Sequence, residues 1–267
     1  MLHFRSIGIW FYGNNPKFVS IKYLVLYCYG MYSGNLRIRI IQLVKLTGLY
    51  PVLRLLKNVT ATSKNFYGQT SEDSVISRYF EGENFTYVDI GAGEPILGSN
   101  TYFFYRKGMR GILVDPIRTN KFLARMLRPR DLFLECLVGQ KPGPQQFWEF
   151  DAYEYSTTDI DVVDRLDREG IIKVKHKRFV NMITLQYIVA MMPQPQMPWL
   201  LSVDVEGADL SVIKSFDFKI YRPRVICIED HEYIKNHTSV QHDYISQLGY
   251  QLEHQTPISL IYADTKK

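Results

Sequence analysis

Acids and glycines lie together where two short apolar runs end, between Tyr87 and Pro116. Asp89, Gly91 and Gly93 close the first run, and Asp115 closes the second. In a parallel sheet a ligand lies at the carboxyl ends of the strands, where a glycine turn lets it approach the backbone. An acid at the end of the next strand can accept hydrogen bonds from both hydroxyls of a ribose. The order of these residues therefore indicates a nucleotide-type cofactor pocket.

The glycine spacing narrows the class of cofactor. A dinucleotide fingerprint needs Gly-x-Gly-x-x-Gly, but Ile96 stands three residues after Gly93, so a nicotinamide oxidoreductase is disfavoured. A cofactor without phosphates, such as S-adenosylmethionine, tolerates this departure because no pyrophosphate docks on the start of the helix. The simpler alternative treats the glycines as turn residues and Asp115 as a helix cap before Pro116. We favour the cofactor pocket because all these features follow strand-loop-helix-strand order.

A second acidic group follows two later apolar runs. Asp204 and Glu206 come after one run, and Glu229 and His231 come after the next. If the first of these strands continues, Asp204 and Glu206 share one face. The four residues are candidates for a base that removes a proton from a substrate hydroxyl. In the alternative interpretation Glu206 pairs with an arginine and His231 is an ordinary surface or core residue. Asp209 is expected to cap the following helix.

The same oxygen-rich set could instead hold a magnesium ion that lowers the pKa of the hydroxyl. Spacing alone does not separate a base from a metal site. We predict catalysis without a metal, because carboxylate clusters at the ends of sheets have many uses.

Three stretches resemble the FkbM-type methyltransferases, namely residues 88–102, 108–116 and 202–209. Residues 68–73 are similar to the lead-in of that family. The resemblance covers about residue 67 to the C-terminus, and it implies a class I fold that uses S-adenosylmethionine. The activity that it implies is usually O-methylation of a sugar, a polyketide or a related secondary metabolite.

The residues and the resemblance together give one set of predicted site residues. The expected cofactor, S-adenosylmethionine, is held by Asp89, Gly91, Ala92, Gly93, Asn100, Asp115, Pro116 and Asp204. The expected catalytic residues are Asp204, Glu206, Glu229 and His231. The family usually carries Asn-Asp or a similar pair after its first glycine, so Ala92 to Pro95 departs from its pattern.

Alternating apolar runs and helix-compatible segments predict an α/β fold with a mostly parallel sheet. The resemblance makes this a class I, Rossmann-like methyltransferase sheet of seven strands. Its last two strands form an antiparallel hairpin at Thr256 and Pro257. The predicted strands are Thr86–Ile90, Gly111–Asp115, Asp131–Val138, Trp199–Val205, Val225–Glu229, Tyr250–Gln255 and Ser259–Ala263. The predicted helices are Asn100–Lys107, Thr119–Leu127, Leu185–Met191, Asp209–Ser215 and Ser239–Leu248.

A long segment between the third and fourth strands, Gly139 to Pro198, contains several prolines and is predicted to be an irregular, substrate-facing excursion with some structure of its own. Its polar and aromatic residues could contact a polar ring such as a sugar, or could equally pack the excursion onto the sheet. These residues are Tyr153, Tyr155, Ser156 and Thr157.

The N-terminal part of the chain is basic. Residues 1–70 contain nine Lys or Arg and no acid, which gives +9, whereas the other 23 of the 32 basic residues face all 27 acids, which gives −4. We predict a basic, apolar helical extension over residues 1–66 and a methyltransferase domain over residues 67–267. The pattern from Leu36 to Leu56 fits an amphipathic helix broken near Pro51, either a cap on the domain or a membrane-surface helix.

The predicted function is S-adenosylmethionine-dependent O-methylation of a hydroxyl on a sugar, polysaccharide or secondary metabolite. The alternative hypothesis is a non-catalytic, membrane-associated scaffold that keeps the fold. We expect a small-molecule or glycan acceptor, no nucleic acid, and peripheral contact of residues 1–60 with anionic lipid. The chain should be cytoplasmic or lie on the inner face of the membrane. Three widely spaced cysteines, Cys28, Cys136 and Cys227, predict free thiols in a reducing compartment, buried in the two cases that lie in apolar runs.

Overall fold

The structure, a computed structural model, describes residues 50–62, 64–150, 153–169, 173–192 and 197–266. The chain divides into two compact units, Met1–Ser63 and Lys64–Lys267. In the first unit the described residues form helix α1 (Tyr50–Ala61). The rest of the predicted basic extension, including most of the amphipathic helix and Cys28, lies outside the described residues. None of the helices that the structure describes is long and apolar enough to cross a membrane.

Ten strands of the described residues form two sheets. In chain order they are β1 (Thr86–Ile90), β2 (Arg110–Val114), β3 (Leu132–Leu134), β4 (Leu137–Val138), β5 (Gly143–Phe150), β6 (Val174–Ile183), β7 (Trp199–Val203), β8 (Val225–Glu229), β9 (Tyr250–Gln255) and β10 (Ser259–Asp264). Seven of them form a main sheet in the order β3-β2-β1-β7-β8-β10-β9. Neighbours in it are parallel except for the two pairs made by β10. The predicted mostly parallel sheet with an antiparallel C-terminal hairpin is confirmed.

The centre of the main sheet is buried on both faces. Every residue of β1 and of β7 is buried, as expected for parallel strands in α/β proteins. Trp199, at the start of β7, is fully buried and stacks on Tyr221 with ring centroids 5.4 Å apart. This packed centre fixes the carboxyl ends of β1 and β7, from which the predicted site residues extend.

Most of the predicted helices are confirmed. The described helices after α1 are α2 (Glu72–Ile76), α3 (Tyr102–Arg106), α4 (Arg118–Leu127), α5 (Ile160–Glu169), α6 (Leu185–Val189), α7 (Asp209–Lys214), α8 (His231–Asn236) and α9 (Val240–Gln247). The sequence did not predict α5 or α8. Helix α8 begins directly after Asp230, whose carboxylate accepts a hydrogen bond from the amide of Tyr233 (2.9 Å) and so caps the helix.

The strand predicted for Asp131 to Val138 is wrong in its continuity. The chain pairs with β2 through β3 and then pairs with β6 through β4, which belongs to a second sheet. Between the two strands the carboxylate of Glu135 is held by an ion pair with Lys121 (2.9 Å). The apolar run from Asp131 to Val138 therefore contributes one strand to each of two sheets.

The segment predicted to be irregular, Gly139 to Pro198, carries most of this second sheet. The sheet has the order β4-β6-β5, with β4 parallel and β5 antiparallel to β6. Trp148 and Phe150 of β5 form an apolar cluster with Val163 and Leu166 of α5. The prediction of an irregular segment is wrong, although its having structure of its own is confirmed. Lys and Arg in β6 weaken the apolar alternation by which a strand is recognised.

Candidate active site

A cavity of about 200 Å³ opens at the carboxyl ends of β1, β2 and β7. Both sheets contribute to its walls. The ends of β1 and β2 and the loops that follow the three strands supply residues 90–94, 97–98, 114–117 and 204–206. The side of the second sheet supplies residues 136–138, Phe147, Tyr153, residues 156–158 and Met182.

Gly91 is required by the close approach of two loops at the cavity. Its φ is +77°, and a Cβ at this position would stand 1.7 Å from the carbonyl oxygen of Asp204. The amide of Gly91 donates to the carbonyl of Val114 (2.8 Å), and the amide of Asp204 donates to the carbonyl of Ile90 (2.9 Å). Backbone hydrogen bonds therefore join the ends of β1, β2 and β7 into one surface.

Asp115 ties the glycine loop to the loop after β2. Its carboxylate accepts hydrogen bonds from the amide of Gly93 (3.0 Å), the amide of Ile117 (2.6 Å) and the side-chain amide of Asn120 (2.9 Å). The residue is buried but lines the cavity. Ile117, not Asp115, stands at the N-cap position of α4, so the helix-cap alternative does not describe this acid.

The predicted cofactor contacts divide into two groups. Those that line the cavity are Gly91, Ala92, Gly93, Asp115, Pro116 and Asp204. Asp89 and Asn100 lie outside the set of described residues that line it. Asp89 is buried and accepts a hydrogen bond from the hydroxyl of Thr101 (2.6 Å), while the side-chain amide of Asn100 is directed to the hydroxyl of Ser202 (3.4 Å). Direct contact of these two with a cofactor stays a prediction.

Three of the predicted catalytic residues form a carboxylate cluster. Oxygen atoms of Asp204, Glu206 and Glu229 all lie within 4.8 Å of one another. The predicted continuation of the strand to Val205 is wrong, because β7 ends at Val203 and Glu206 adopts a φ of +53°. A turn, rather than a shared strand face, therefore places Glu206 beside Asp204.

Asp209 holds this turn in place. Its carboxylate accepts hydrogen bonds from the amides of Val205 and Gly207 (both 3.1 Å). The prediction that Asp209 caps α7 is wrong, since Ala208 stands at the N-cap position and Asp209 is the first helical residue. Its carboxylate fixes the backbone on either side of Glu206 instead.

Burial and neighbouring acids raise the pKa of two carboxyls in the cluster. Burial, followed by the charge of Glu229, raises the pKa of Asp204 to about 8. Burial, followed by the charge of Glu206, raises the pKa of Glu229 to about 7. Because the groups are so close, their protons leave in steps that belong to the cluster as a whole. A carboxyl that titrates near neutral pH is suited to accept a proton in a reaction.

His231 lies on the outer side of the cluster. Its side chain is 67% exposed, and its Nε2 is 3.1 Å from a carboxylate oxygen of Glu229. Both residues are outside the set of described residues that line the cavity. Asp204 and Glu206 line the cavity and are therefore better placed than His231 to contact the reacting atoms.

The second sheet closes one side of the cavity. Phe147 and Met182 line it, as do Tyr153, Ser156 and Thr157, whereas Tyr155 is exposed and does not belong to the described lining. Two backbone hydrogen bonds between residues 148 and 157 (2.9 and 3.1 Å) hold the hydroxyl residues over β5. Three of the four predicted acceptor contacts are thus brought to the same cavity as the glycine loop.

Sequence reasoning missed several cavity residues. They are Gln69, Leu97, Gly98, residues 136–138, Phe147 and Met182, among others. Those of the second sheet carry no motif and reach the cavity only through pairing of distant segments. Gln69 does lie within residues 68–73, the stretch that resembles the family lead-in, so a local signal existed for this one residue.

The carboxylate cluster could also hold a cation. Three carboxylates with oxygens within 4.8 Å of one another offer the ligands that Mg²⁺ prefers. Catalysis without a metal stays a prediction.

The geometry agrees with a comparison against known families. A family model described as "Methyltransferase FkbM domain" matches residues 89–252, which is more than half of the chain. The match includes the glycine loop, the second sheet and the carboxylate cluster. A search of the curated proteins finds no match.

Proposed function

The chain belongs to the FkbM methyltransferase family, and from this premise we propose that it transfers the methyl group of S-adenosylmethionine to a hydroxyl. The acceptor that we propose is a sugar, a polysaccharide or a secondary metabolite. The charge of the cavity supports this cofactor best. Among the described residues that line the cavity, four are acids and none is Lys or Arg. Such a lining favours a cationic sulfonium and disfavours a phosphate-bearing cofactor.

The residues around the cavity fit the parts of S-adenosylmethionine. The acid that follows β2, Asp115, is suited to the ribose hydroxyls, and the backbone from Gly91 to Gly93 is open to close approach. Ile117, Phe147 and Met182 provide apolar surface for a purine. S-adenosylmethionine supplies an electrophilic methyl group when bound.

Asp204 is the residue that we assign as the base. It lies between the glycine loop and Glu206 at the cavity, and its raised pKa allows it to take a proton near neutral pH. Glu229 acts on it through its negative charge, which favours the protonated form of Asp204. Tyr153, Ser156 and Thr157 line the cavity, and we assign to them the contacts with a polar acceptor.

Binding of S-adenosylmethionine to the full chain tests the proposal. We expect heat of binding in isothermal titration calorimetry and, for Asp115→Ala, an affinity at least about tenfold lower, equivalent to about 1.4 kcal/mol. Asp230→Ala is the matched control, because Asp230 is as buried as Asp115 and also binds a backbone amide but does not belong to the described cavity lining. No binding by folded protein would overturn the cofactor assignment.

The acceptor is tested with S-adenosylmethionine that carries an isotopically labelled methyl group. Glycan and metabolite extracts are incubated with the protein, and mass spectrometry locates the label. We expect a methyl ether on a hydroxyl oxygen. A label found only on nitrogen or carbon would contradict O-methylation while leaving the methyltransferase assignment intact.

Removal of divalent cations is expected to leave methyl transfer unchanged. The physical reason is that Asp204, with a pKa of about 8, takes the hydroxyl proton itself, so no cation is needed to acidify the hydroxyl. Initial rates are measured after dialysis against EDTA and again after addition of Mg²⁺. A rate that is lost with EDTA and restored by Mg²⁺ would assign the carboxylate cluster to a metal.

A second candidate function is a non-catalytic, membrane-associated scaffold. The +9 charge of the acid-free residues 1–70 supports it. Flotation of the full chain with anionic and with neutral vesicles separates the cases. Binding to anionic vesicles without any methyl transfer favours the scaffold, whereas transfer without vesicle binding removes it.

A further inference from the structure

A buried arginine lies beneath the loop that lines the cavity. Arg128 follows α4, its side chain is fully buried, and each of its five N–H groups has an acceptor within reach. Burial of a guanidinium costs free energy unless its hydrogen bonds are satisfied. The five hydrogen bonds therefore compensate for the burial of the guanidinium.

Two of these hydrogen bonds go to the loop itself. The Nη1 atom donates to the carbonyl of Pro95 (3.3 Å) and to the hydroxyl of Ser99 (3.1 Å). Glu94, Leu97 and Gly98, which alternate with these residues along the loop, line the cavity. The arginine thus contacts one side of the loop while the cavity is on the other.

The remaining hydrogen bonds fix the arginine to the main sheet. Nε donates to Asp131 (2.7 Å), and Nη2 donates to the hydroxyls of Tyr87 and Thr101 (both 3.0 Å). The Thr101 hydroxyl in turn donates to Asp89 of β1 (2.6 Å). The acid that we predicted as a cofactor contact is therefore part of the network that holds the arginine.

The geometry of this network is specific to arginine. A guanidinium has five donors in a planar fork, whereas an ammonium has three donors around a point charge. Lysine at this position could keep the ion pair with Asp131 but could not also reach Pro95, Ser99 and the hydroxyls of Tyr87 and Thr101. Replacement of the arginine by lysine would therefore remove hydrogen bonds to the loop.

We infer that Arg128 is a positioning residue for the cofactor loop, in that it holds residues 95–99 in the shape that binds S-adenosylmethionine. The inference rests on the proposed function, from which the identity of the ligand, S-adenosylmethionine, is taken. Asp89 contributes to this positioning indirectly, because it accepts a hydrogen bond from Thr101, which in turn accepts one from Arg128.

Two variants test the inference in the full chain. Arg128→Lys keeps the charge, and Ser99→Ala removes a loop hydroxyl that accepts hydrogen bonds from Arg128 and from the amides of Thr101 and Tyr102. We expect S-adenosylmethionine to bind about tenfold and about threefold more weakly, respectively, as measured by calorimetry. Hydrogen exchange, read by mass spectrometry without cofactor, should become faster in residues 93–99 and stay unchanged in β7 and β8.

The matched controls are Arg222→Lys and Ser215→Ala. Arg222 makes a bidentate ion pair with Asp264 (2.8 and 2.7 Å), and the Ser215 hydroxyl makes two backbone hydrogen bonds, both with residues outside the described cavity lining. We expect these variants to keep wild-type affinity even where they lower the melting temperature. This comparison separates positioning of the loop from a general loss of stability.

The outcomes are distinguishable from failure of the proposed function. Wild-type protein that does not bind S-adenosylmethionine overturns the proposed function, whereas faster exchange confined to residues 93–99 still supports the loop-holding role. Unchanged exchange in the loop for Ser99→Ala, or an affinity within twofold of wild type for both variants, overturns the inference. If Arg128→Lys does not fold, Ser99→Ala decides.

Discussion

Asp204→Asn is expected to lower the rate of methyl transfer by about two to four orders of magnitude, the usual contribution of a general base. Asparagine keeps the shape of the side chain but cannot accept the hydroxyl proton. For the wild-type enzyme the rate should rise with pH up to about 8, because the base acts only when ionised. Initial rates measured between pH 6 and pH 9 check both statements. A variant that keeps a tenth of the activity would exclude Asp204 as the base.

Glu229→Gln serves as the partner variant for this measurement. The negative charge of Glu229 raises the pKa of Asp204, so its removal should lower that pKa and move the rise in rate to lower pH. A purely structural role for Glu229 would lower the rate without moving the profile.

The free energy of unfolding of Asp204→Asn provides the folding control. The sign of its difference from wild type follows from the linkage between proton binding and folding. The pKa of Asp204 is raised from 3.8 to about 8, so the folded chain holds this proton more tightly than the unfolded chain does. The contribution of Asp204 to stability is therefore fully present below pH 3.8 and is lost as the pH rises through about 8. Asparagine removes this loss, so the variant should be more stable than wild type by about 1–3 kcal/mol at pH 9 and equal to it near pH 4.

Gly91→Ala is expected to abolish detectable cofactor binding and to lower the free energy of unfolding by at least about 2 kcal/mol. The new Cβ would stand 1.7 Å from the carbonyl oxygen of Asp204, so the two loops must separate. That separation would disturb the floor of the cavity and the base together. Calorimetry with S-adenosylmethionine and urea denaturation measure the two effects.

The control for this variant is Gly82→Ala. Gly82 has a similar φ of +74°, but nothing lies within 4 Å of its hypothetical Cβ. It should lose about 1 kcal/mol from backbone strain alone and keep wild-type affinity for the cofactor. Equal losses in the two glycine variants would show that strain, and not the collision with Asp204, explains the effect.

Local signals predicted one end of the site well. The glycine turn at Gly91 and the acid at Asp115 follow apolar runs of strand length, and their type and order are visible within thirty residues of sequence. The convergence of Asp204 and Glu229 was also predictable, because adjacent parallel strands end at the same edge of a sheet. Glu206 joined them for a reason that the sequence did not reveal, a turn with positive φ.

The second sheet could not be predicted in the same way. Its strands β4, β5 and β6 pair across long stretches of chain, and such pairing depends on partners that no short window contains. For the same reason most of the network of Arg128 could not be predicted, since four of its five acceptors come from segments about thirty to forty residues earlier. The hydrogen bond from Thr101 to Asp89 was not predictable either, and direct contact of Asp89 with a cofactor stays a prediction.

The second sheet has an apolar cluster of its own, formed by Trp148, Phe150, Val163 and Leu166, apart from the large cluster that holds the main sheet together. Substitutions in this cluster can thus be absorbed locally, while the glycine loop and the carboxylates stay in register; Phe147 differs, because it packs against Ile117 in another cluster. In a methyltransferase built this way, the cavity wall formed by the second sheet can diverge between relatives while the glycine loop and the carboxylate cluster remain the same. We accordingly expect that exchange of residues 143–169 between family members would change the acceptor specificity of the proposed O-methyltransferase.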